Sequence, residues 1–350
     1  MILVSYLFVI FVLIMLLGVG LVTIVIDPYF HYHKPLSGLQ YPINNQRYQN
    51  DGIIKHFDYD AIITGSSMTE NFKTSEFDEL FGVNSIKVPF SGGSFKEINN
   101  NLETAVKWNS DLKVIIRCLD HRRLLDSADA MRYEEDSYPK YLYDECLWND
   151  VKYIFNKSIL RDAISVLHYT KAGKITTNFD EYSNWMDTVI FGKEAVDAAY
   201  TRPEKVEKVS PITEEDYKNI KENITQNVTD LADRYPEIEY YIFFSPYSIY
   251  WWDELWRTGS LERQLDVEKY AIELMISHEN IHLFSFSTEY EMICDLNNYK
   301  DIAHYSEDIN SRILVWMKEG THELKANNYE DYCRQIREFY MNYDYDSLFE

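Results

Sequence analysis

The sequence predicts an α/β protein whose main domain is a three-layer α/β/α sandwich with a mostly parallel sheet of about five strands. Two patterns lead to this prediction. Short apolar runs rich in β-branched and aromatic residues end on breakers or polar residues, which is typical of buried strands. Segments with helical periodicity alternate with these runs, which favours parallel strands joined by helices. An N-terminal transmembrane helix and a helical insertion complete the predicted architecture.

The N-terminus begins with an apolar run at residues 2–26 that contains no charged side chain. This run is long enough to cross ~30 Å of hydrocarbon. We expect an uncleaved anchor rather than a cleaved signal peptide, because the run is too long and no small-x-small cleavage site follows it. No Lys or Arg precedes it, so charge does not indicate its orientation. The predicted division is an anchor at 1–26, a linker at 27–54 and the sandwich domain at 55–350.

The strands and helices of the domain follow from local patterns. Five strands are predicted, at residues 61–63, 85–89, 113–117, 239–244 and 281–286. Helical periodicity marks residues 75–81, 95–108, 261–277, 309–318 and 327–340. The segment at about 127–236 is too long for a simple crossover between strands. Its helical patterns at 160–168 and 212–232 predict a mainly helical insertion over the site.

Composition narrows the class of protein. The 350 residues carry 34 Lys and Arg against 57 Asp and Glu, a formal net charge of -23. Such a balance argues against a nucleic-acid partner or an anionic membrane surface, although it allows a local basic patch. The four cysteines lack CxxC spacing, so neither a metal site nor a cofactor is predicted. His31 and His33 would suit either a metal or packing at a membrane interface.

Two serines follow the first predicted strand. Gly65 ends this strand, and Ser66 and Ser67 come directly after it. Ligands of open α/β sheets bind at the carboxyl ends of the strands, so a hydroxyl on this turn is well placed for chemistry. The alternative is that both serines only cap the next helix. Far along the chain, Asp301 and His304 are separated by two residues, and a carboxylate at this spacing can orient an imidazole toward a serine.

The Gly65-Ser66-Ser67 block and the Asp301-x-x-His304 block together resemble the SGNH (GDSL-like) hydrolase superfamily, over roughly residues 55–320. The branch with cell-envelope acyl-transfer proteins, such as the D-alanyl transfer protein of teichoic acid synthesis, also has Ser in place of Asp before the nucleophile. The resemblance implies the sheet topology. It also implies that Ser67 is the nucleophile, His304 the base and Asp301 the acid that orients it. Asp295 is a weaker candidate for that acid.

The oxyanion hole is also implied by the resemblance. The N–H groups of Ser67 and Gly92 take the place of the family's donors, and Asp120 stands where the family usually has an Asn. An ionised carboxylate accepts hydrogen bonds and cannot donate them. We therefore expect a protonated Asp120, a charge pair with a neighbouring base, or an oxyanion donor from elsewhere in the chain. The candidates for that pair are His121, Arg122, Arg123 and Arg117.

Aromatic residues follow the fourth predicted strand. Trp251 and Trp252 would bind substrate if this strand ends at the same sheet edge as Ser67. Packing in the core or at a membrane interface is an equally good interpretation of these two residues.

With the apolar N-terminal run, the resemblance implies a membrane-anchored serine esterase or O-acyltransferase whose main domain is extracytoplasmic. Its expected partners are a cell-envelope polysaccharide or acylated polymer, the membrane, and a membrane acyltransferase as a further candidate; no nucleic acid is expected. The alternative, based on Asp120, is a catalytically degenerate SGNH-like protein that binds glycans or assists assembly. A lipid-directed esterase is a third hypothesis, based on the anchor.

Overall fold

The computed structural model describes residues 2–174 and 178–349, and it confirms the predicted α/β class. A six-stranded sheet has the order β2-β1-β3-β4-β5-β6. Five strands are parallel, and the sixth pairs antiparallel with β5. The strands are β1 (Ala61–Gly65), β2 (Ser85–Pro89), β3 (Val114–Leu119), β4 (Glu239–Phe244), β5 (Ile281–Ser285) and β6 (Glu323–Leu324). The two-residue β6 was not predicted, because it is too short for a periodic pattern.

The register of the parallel strands brings their carboxyl ends to one edge of the sheet. Gly65 of β1 lies opposite Pro89 of β2, and Leu119 of β3 lies opposite Phe244 of β4. All five residues of β1 and all five of β2 are buried. The segments that follow these strands therefore meet at one end of the domain, where ligands of open α/β sheets bind.

Helices cover both faces of the sheet. Helix α4 (Phe95–Trp108) packs against α2 (Gln46–His56), α12 (Leu261–Met275) packs against α9 (Glu214–Ile224) and α15 (Tyr329–Asn342), and α3 (Thr74–Phe81) packs against α14 (Glu307–Glu319). The helices of the domain core are α2 (Gln46–His56), α3 (Thr74–Phe81), α4 (Phe95–Trp108), α9 (Glu214–Ile224), α10 (Asp230–Arg234), α11 (Ile249–Arg257), α12 (Leu261–Met275), α13 (Tyr290–Cys294), α14 (Glu307–Glu319) and α15 (Tyr329–Asn342). The remaining helices are α1 (Ile2–Ile26), α5 (Lys140–Tyr143), α6 (Val151–Ile154), α7 (Lys157–Lys171) and α8 (Lys193–Ala199).

Two predicted boundaries change. The predicted linker at 27–54 is instead part of the domain, because Phe30 and Tyr41 are fully buried in the main core and α2 packs against α4 and β2. The predicted insertion at 127–236 extends too far, since α9 packs against α12 and continues through a π-helical turn into α10. Residues 175–177 of the insertion lie outside the described part of the chain, as do residues 1 and 350.

Helix α1 is long and apolar enough to cross a membrane, with a mean hydropathy of 3.2 over its most apolar window. Its last turns pack against α6 and α7. Gly20 allows this approach, because a β-carbon there would lie 3.1 Å from Cγ2 of Ile154. Gly18, two residues earlier, has no such neighbour within 4 Å in the described part of the chain.

The chain turns sharply where α1 ends, at Asp27. This buried residue has a φ of 47°. Its carboxylate accepts hydrogen bonds from the backbone N–H groups of His31 (3.0 Å), Tyr32 (2.7 Å) and His33 (3.0 Å). It also accepts one from the hydroxyl of Tyr153 in α6. One carboxylate therefore closes the turn and connects α1 to the insertion.

Candidate active site

The turn after β1 places Ser67 at the carboxyl edge of the sheet. Gly65 has a φ of 154°, and a β-carbon there would lie 2.7 Å from Thr69 and 2.8 Å from Cys118, so only glycine fits. Ser67 begins a short 3-10 helix, Ser67–Thr69, for which Ser66 provides no side-chain cap. The next helix, α3, has Lys73 at its N-cap. The capping interpretation of the two serines is therefore wrong.

Ser67, His304 and Asp301 form a continuous chain of hydrogen bonds. Oγ of Ser67 lies 2.8 Å from Nε2 of His304, although the two residues are 237 positions apart in sequence. On the other side of the ring, Nδ1 of His304 lies 2.8 Å from Oδ2 and 3.0 Å from Oδ1 of Asp301. With the proton on Nδ1, the imidazole donates to the carboxylate and presents the lone pair of Nε2 to the serine hydroxyl.

The carboxylate of Asp301 is held by its own backbone. Oδ1 accepts the N–H groups of Ala303 (2.9 Å) and His304 (2.8 Å). Burial opposes ionisation, but the hydrogen bonds and charge of His304, with these backbone donors, lower the pKa of Asp301 to about 2. The rival acid Asp295 instead accepts hydrogen bonds from the backbone and side chain of Asn297. Asp301 is therefore the carboxylate that orients His304.

A cavity of about 760 Å³ opens onto Ser67 and His304. Its lining also includes Gly92 and Asp120 from the two loops that follow β2 and β3. The other lining residues come from several parts of the chain: Met68, Glu70, Ser91, Arg122, Arg123, Arg132, Tyr133, Trp185, Thr188, Val189, Tyr247, Lys300 and Ala303. The predicted nucleophile, base and oxyanion candidates thus line the same cavity.

Gly92 has a φ of 60°, a left-handed conformation that favours glycine. Its carbonyl oxygen accepts a hydrogen bond of 2.9 Å from Nη2 of Arg123, which fixes the loop. Within the described residues, the backbone N–H groups of Ser67 and Gly92 have no hydrogen-bond partner. Both donors are therefore available to a ligand in the cavity.

Asp120 faces the cavity without the basic partner that we expected. Its carboxylate accepts hydrogen bonds from the hydroxyl of Tyr247, from Ser66 Oγ at 3.3 Å and from the N–H of Arg122 at 3.0 Å. The expected side-chain pairing with Arg117, Arg122, Arg123 or His121 is wrong. The guanidinium groups of these arginines bind other partners: backbone carbonyls for Arg117, Glu254 for Arg122, and Asp126 with the Gly92 carbonyl for Arg123. His121 Nε2 lies 3.1 Å from the carbonyl oxygen of Ser245.

Trp251 and Trp252 do not line the cavity, so their predicted role in binding substrate is wrong. Both lie in α11 and are buried, with 3% and 1% of their surface exposed. Trp252 stacks on Tyr340 of α15 with ring centroids 3.7 Å apart, and Trp251 stacks on His121. Packing in the core is the interpretation that the structure supports.

Several lining residues were not identified from the sequence. Trp185 lies in the insertion and packs edge-on against His304 at 5.7 Å between ring centroids. Glu70 is buried, and its Oε1 accepts a hydrogen bond of 2.6 Å from the side-chain amide of Gln46 in α2. Desolvation raises the pKa of Glu70. Long-range contacts bring Trp185 to the site, so no local pattern marks it. Glu70 instead follows the short helix that Ser67 begins, and its position three residues after Ser67 was the signal that could have identified it.

Comparisons with known proteins identify no family for this chain. No family model and no curated protein matches it. One similar solved structure is that of a protein from Streptococcus pneumonia provisionally described as a platelet activating factor, with 10% sequence identity and a TM-score of 0.38. The alignment covers 78% of this chain and 89% of that chain. A similarity of this degree identifies neither a family nor an activity.

Proposed function

We propose that this protein is a membrane-anchored serine esterase or O-acyltransferase that uses Ser67, His304 and Asp301. The observation that carries the proposal is the hydrogen-bond chain from Ser67 Oγ through His304 to Asp301, of which Ser67 and His304 line one cavity. A nucleophile, a base and an oriented carboxylate in this arrangement are the parts that acyl transfer requires. The order of the two sequence blocks and the parallel sheet support membership of the SGNH superfamily.

The proposed reaction begins with the hydroxyl of Ser67. His304 Nε2 takes its proton while Oγ bonds to the ester carbonyl carbon, and the carbonyl π electrons move to the oxygen. The N–H groups of Ser67 and Gly92 donate to this oxyanion; losing one such donor typically costs ~100-fold or more in turnover. The intermediate collapses, the bond to the alcohol breaks, and the alcohol takes the proton from His304. Water or a sugar hydroxyl then attacks the acyl-enzyme by the reverse sequence.

The proposed substrates are acyl esters of a cell-envelope polysaccharide or other acylated polymer on the outer side of the membrane. This part of the proposal is supported by the resemblance to envelope acyl-transfer proteins and by the apolar helix α1. In the transferase version, a membrane acyltransferase supplies the acyl group.

A second candidate function is a catalytically degenerate protein that binds glycans or assists assembly. Asp120 favours it, because this carboxylate faces the cavity and accepts hydrogen bonds from three donors. A negative charge at this position opposes the formation of an oxyanion nearby.

A fluorophosphonate probe separates the two candidates. The full-length protein in detergent is treated with the probe, and the adduct is located by mass spectrometry. We expect labelling at Ser67 that is lost in Ser67→Ala and His304→Ala. Ser66→Ala is the matched control, because this neighbouring hydroxyl donates to Asp120 and not to His304. Absence of labelling, while a control serine hydrolase reacts, would favour the binding function.

A further inference from the structure

The cavity at Ser67 brings several basic side chains together in a protein that is strongly acidic. Four basic side chains, Arg122, Arg123, Arg132 and Lys300, line it together with two carboxylates, Glu70 and Asp120. The chain as a whole carries a formal net charge of -23. In a concave site, a cation without an ion-pair partner attracts ligands of the opposite sign.

In the described part of the chain, neither of the two carboxylates is at ion-pair distance from these cations. Glu70 is hydrogen-bonded to the amide of Gln46, and Asp120 accepts from Tyr247, Ser66 and a backbone N–H. Arg123 forms an ion pair with Asp126 and also donates to the carbonyl of Gly92, so its charge is paired within the protein. Arg122 has a long contact of 3.5 Å with a half-exposed carboxylate.

Lys300 and Arg132 differ from the other two. Within the described residues, neither has a carboxylate at ion-pair distance. Nζ of Lys300 lies 4.0 Å from the ring centroid of Trp185, which holds the ammonium group without cancelling its charge. Arg132 packs beside Gly92, where a β-carbon would lie 3.1 Å from its Nε.

The position of Lys300 indicates that it lies near the alcohol component of the ester. Trp185 contacts both residues: the ammonium group of Lys300 lies over its ring, and its ring packs edge-on against the imidazole of His304. In the proposed reaction, His304 returns its proton to the leaving alcohol, so the alcohol must lie on the side of His304. Lys300 is therefore near the alcohol, whereas Arg132 is near the oxyanion donor Gly92.

We propose that the alcohol component of the ester, or the acceptor in a transfer, carries a negatively charged oxygen group that binds Lys300. A carboxylated or phosphorylated sugar has this chemistry. Arg132 adds positive charge on the opposite side of the cavity. This inference rests on the proposed function, because the reaction defines which side of the cavity holds the alcohol.

Three chromogenic esters, assayed with the full-length protein, test whether the enzyme prefers a negatively charged group on the alcohol. 4-Nitrophenyl acetate is neutral, 4-acetoxy-3-nitrobenzoate carries a carboxylate on the alcohol, and mono-4-nitrophenyl succinate carries one on the acyl group. Each kcat/KM is divided by the rate of hydroxide hydrolysis. We expect a preference of about tenfold for the alcohol carboxylate over the neutral ester, and it should decrease as salt is added.

The variants assign the preference to a residue. Lys300→Gln should lower it about tenfold, Lys300→Arg should restore most of it, and Arg132→Gln should lower it less. Lys205→Gln is the matched control, because Nζ of Lys205 also lies over a tryptophan ring, 3.6 Å from Trp256, but outside the cavity lining. No preference, a preference for the acyl carboxylate, or an unchanged preference in Lys300→Gln would overturn the proposal.

A binding measurement separates failure of this proposal from failure of the proposed function. If no ester is hydrolysed, Ser67→Ala protein is titrated with 4-nitrobenzoate and with neutral 4-nitrobenzamide, and tryptophan fluorescence is followed. We expect the acid to bind about fivefold more tightly, and this difference to disappear when Lys300→Gln is added. Equal affinities would reject the anion site whatever the outcome of the hydrolysis assay.

Discussion

Tyr247 donates its hydroxyl hydrogen bond to Asp120, and this contact takes the place of the expected arginine pair. Burial, together with the neighbouring carboxylate, raises the pKa of Tyr247 well above its usual range, so the phenol remains a donor. Ser66 donates to the other oxygen of the same carboxylate. Asp120 is therefore held by neutral donors and, within the described residues, forms no ion pair with a basic side chain beside the proposed oxyanion site.

Replacing this charge should change turnover. Asp120→Asn removes a negative charge from the cavity, while the amide can still accept from Tyr247 and can donate toward Ser66. We expect kcat for a neutral ester to rise on the order of tenfold. Tyr247→Phe is the control, because it removes the hydrogen bond and keeps the charge; it should lower stability without raising kcat. An unchanged kcat in folded Asp120→Asn would mean that Asp120 does not affect the oxyanion.

Asp301→Asn should inactivate the protein while leaving it folded. The Asn carbonyl can accept the two backbone N–H groups, but its amide would favour the His304 tautomer that has its proton on Nε2. That tautomer cannot take the proton of Ser67, and kcat should fall by about 10³–10⁴-fold near neutral pH. Asp295→Asn is the matched control and should retain wild-type kcat. Equal losses in both variants would contradict the assignment of Asp301.

Lys87, in the middle of β2, should make stability depend on pH. Its buried ammonium group donates to the carbonyl oxygens of Glu70 (2.6 Å), Phe72 (2.8 Å) and Asp180 (3.3 Å). Burial lowers its pKa from 10.5 to about 7. Between these two values the native state binds fewer protons than the unfolded chain, so stability rises with pH, by at most ~1.4 kcal/mol per pH unit.

Lys87→Met tests this linkage. Its free energy of unfolding should be lower at pH 7 by about 2–3 kcal/mol, because three buried carbonyls lose their donor. The difference between wild type and Lys87→Met should grow from pH 7 toward pH 10. Urea titrations in detergent at several pH values measure both effects, and the other titrating groups cancel in the difference. A difference that stays constant with pH would show that Lys87 has an ordinary pKa in the folded protein.

Gly20→Leu should detach α1 from the insertion. A side chain at this position would overlap Ile154 and Phe155 of the α6 region. We expect a lower melting temperature and faster chymotryptic cleavage of residues 27–34. Gly18→Leu is the matched control, because the described chain has nothing within 4 Å of that position. Equal cleavage rates in the two variants would mean that α1 is already loose in wild type.

Local sequence patterns predicted the elements that a few consecutive residues are enough to define. Strands β2 and β4 and helix α4 have the predicted limits, and the Asp301–His304 pair needs only one turn of chain. Helix α2 was missed because its polar residues suggest an exposed segment. In the structure, residues from distant segments cover these polar side chains. Arg47 forms an ion pair with Glu97, and Asn50 accepts a hydrogen bond from Tyr182.

The cavity was only partly predictable for the same reason. Ser67 and Gly92 each follow a strand directly, so the sheet places them. The position of Trp185 depends on the path of the insertion, which no local pattern in the sequence records. Lys300 directly precedes Asp301, so the sequence places it near the Asp301–His304 pair but does not predict its contact with Trp185. Trp251 was ambiguous, because a buried aromatic helix and an aromatic rim have the same composition.

If α1 spans a bilayer, as we propose, the Asp27 turn couples the orientation of the domain to that of the helix. Helix α1 is roughly 37 Å long at 1.5 Å per residue, longer than ~30 Å of hydrocarbon, and such a helix tilts to match the bilayer thickness. A flexible tether would absorb that tilt. Here the buried carboxylate of Asp27 and the contacts of Gly20 join helix and domain, so the mouth of the cavity would rotate with the helix. Lipid chain length would then set the angle at which the cavity meets its substrates.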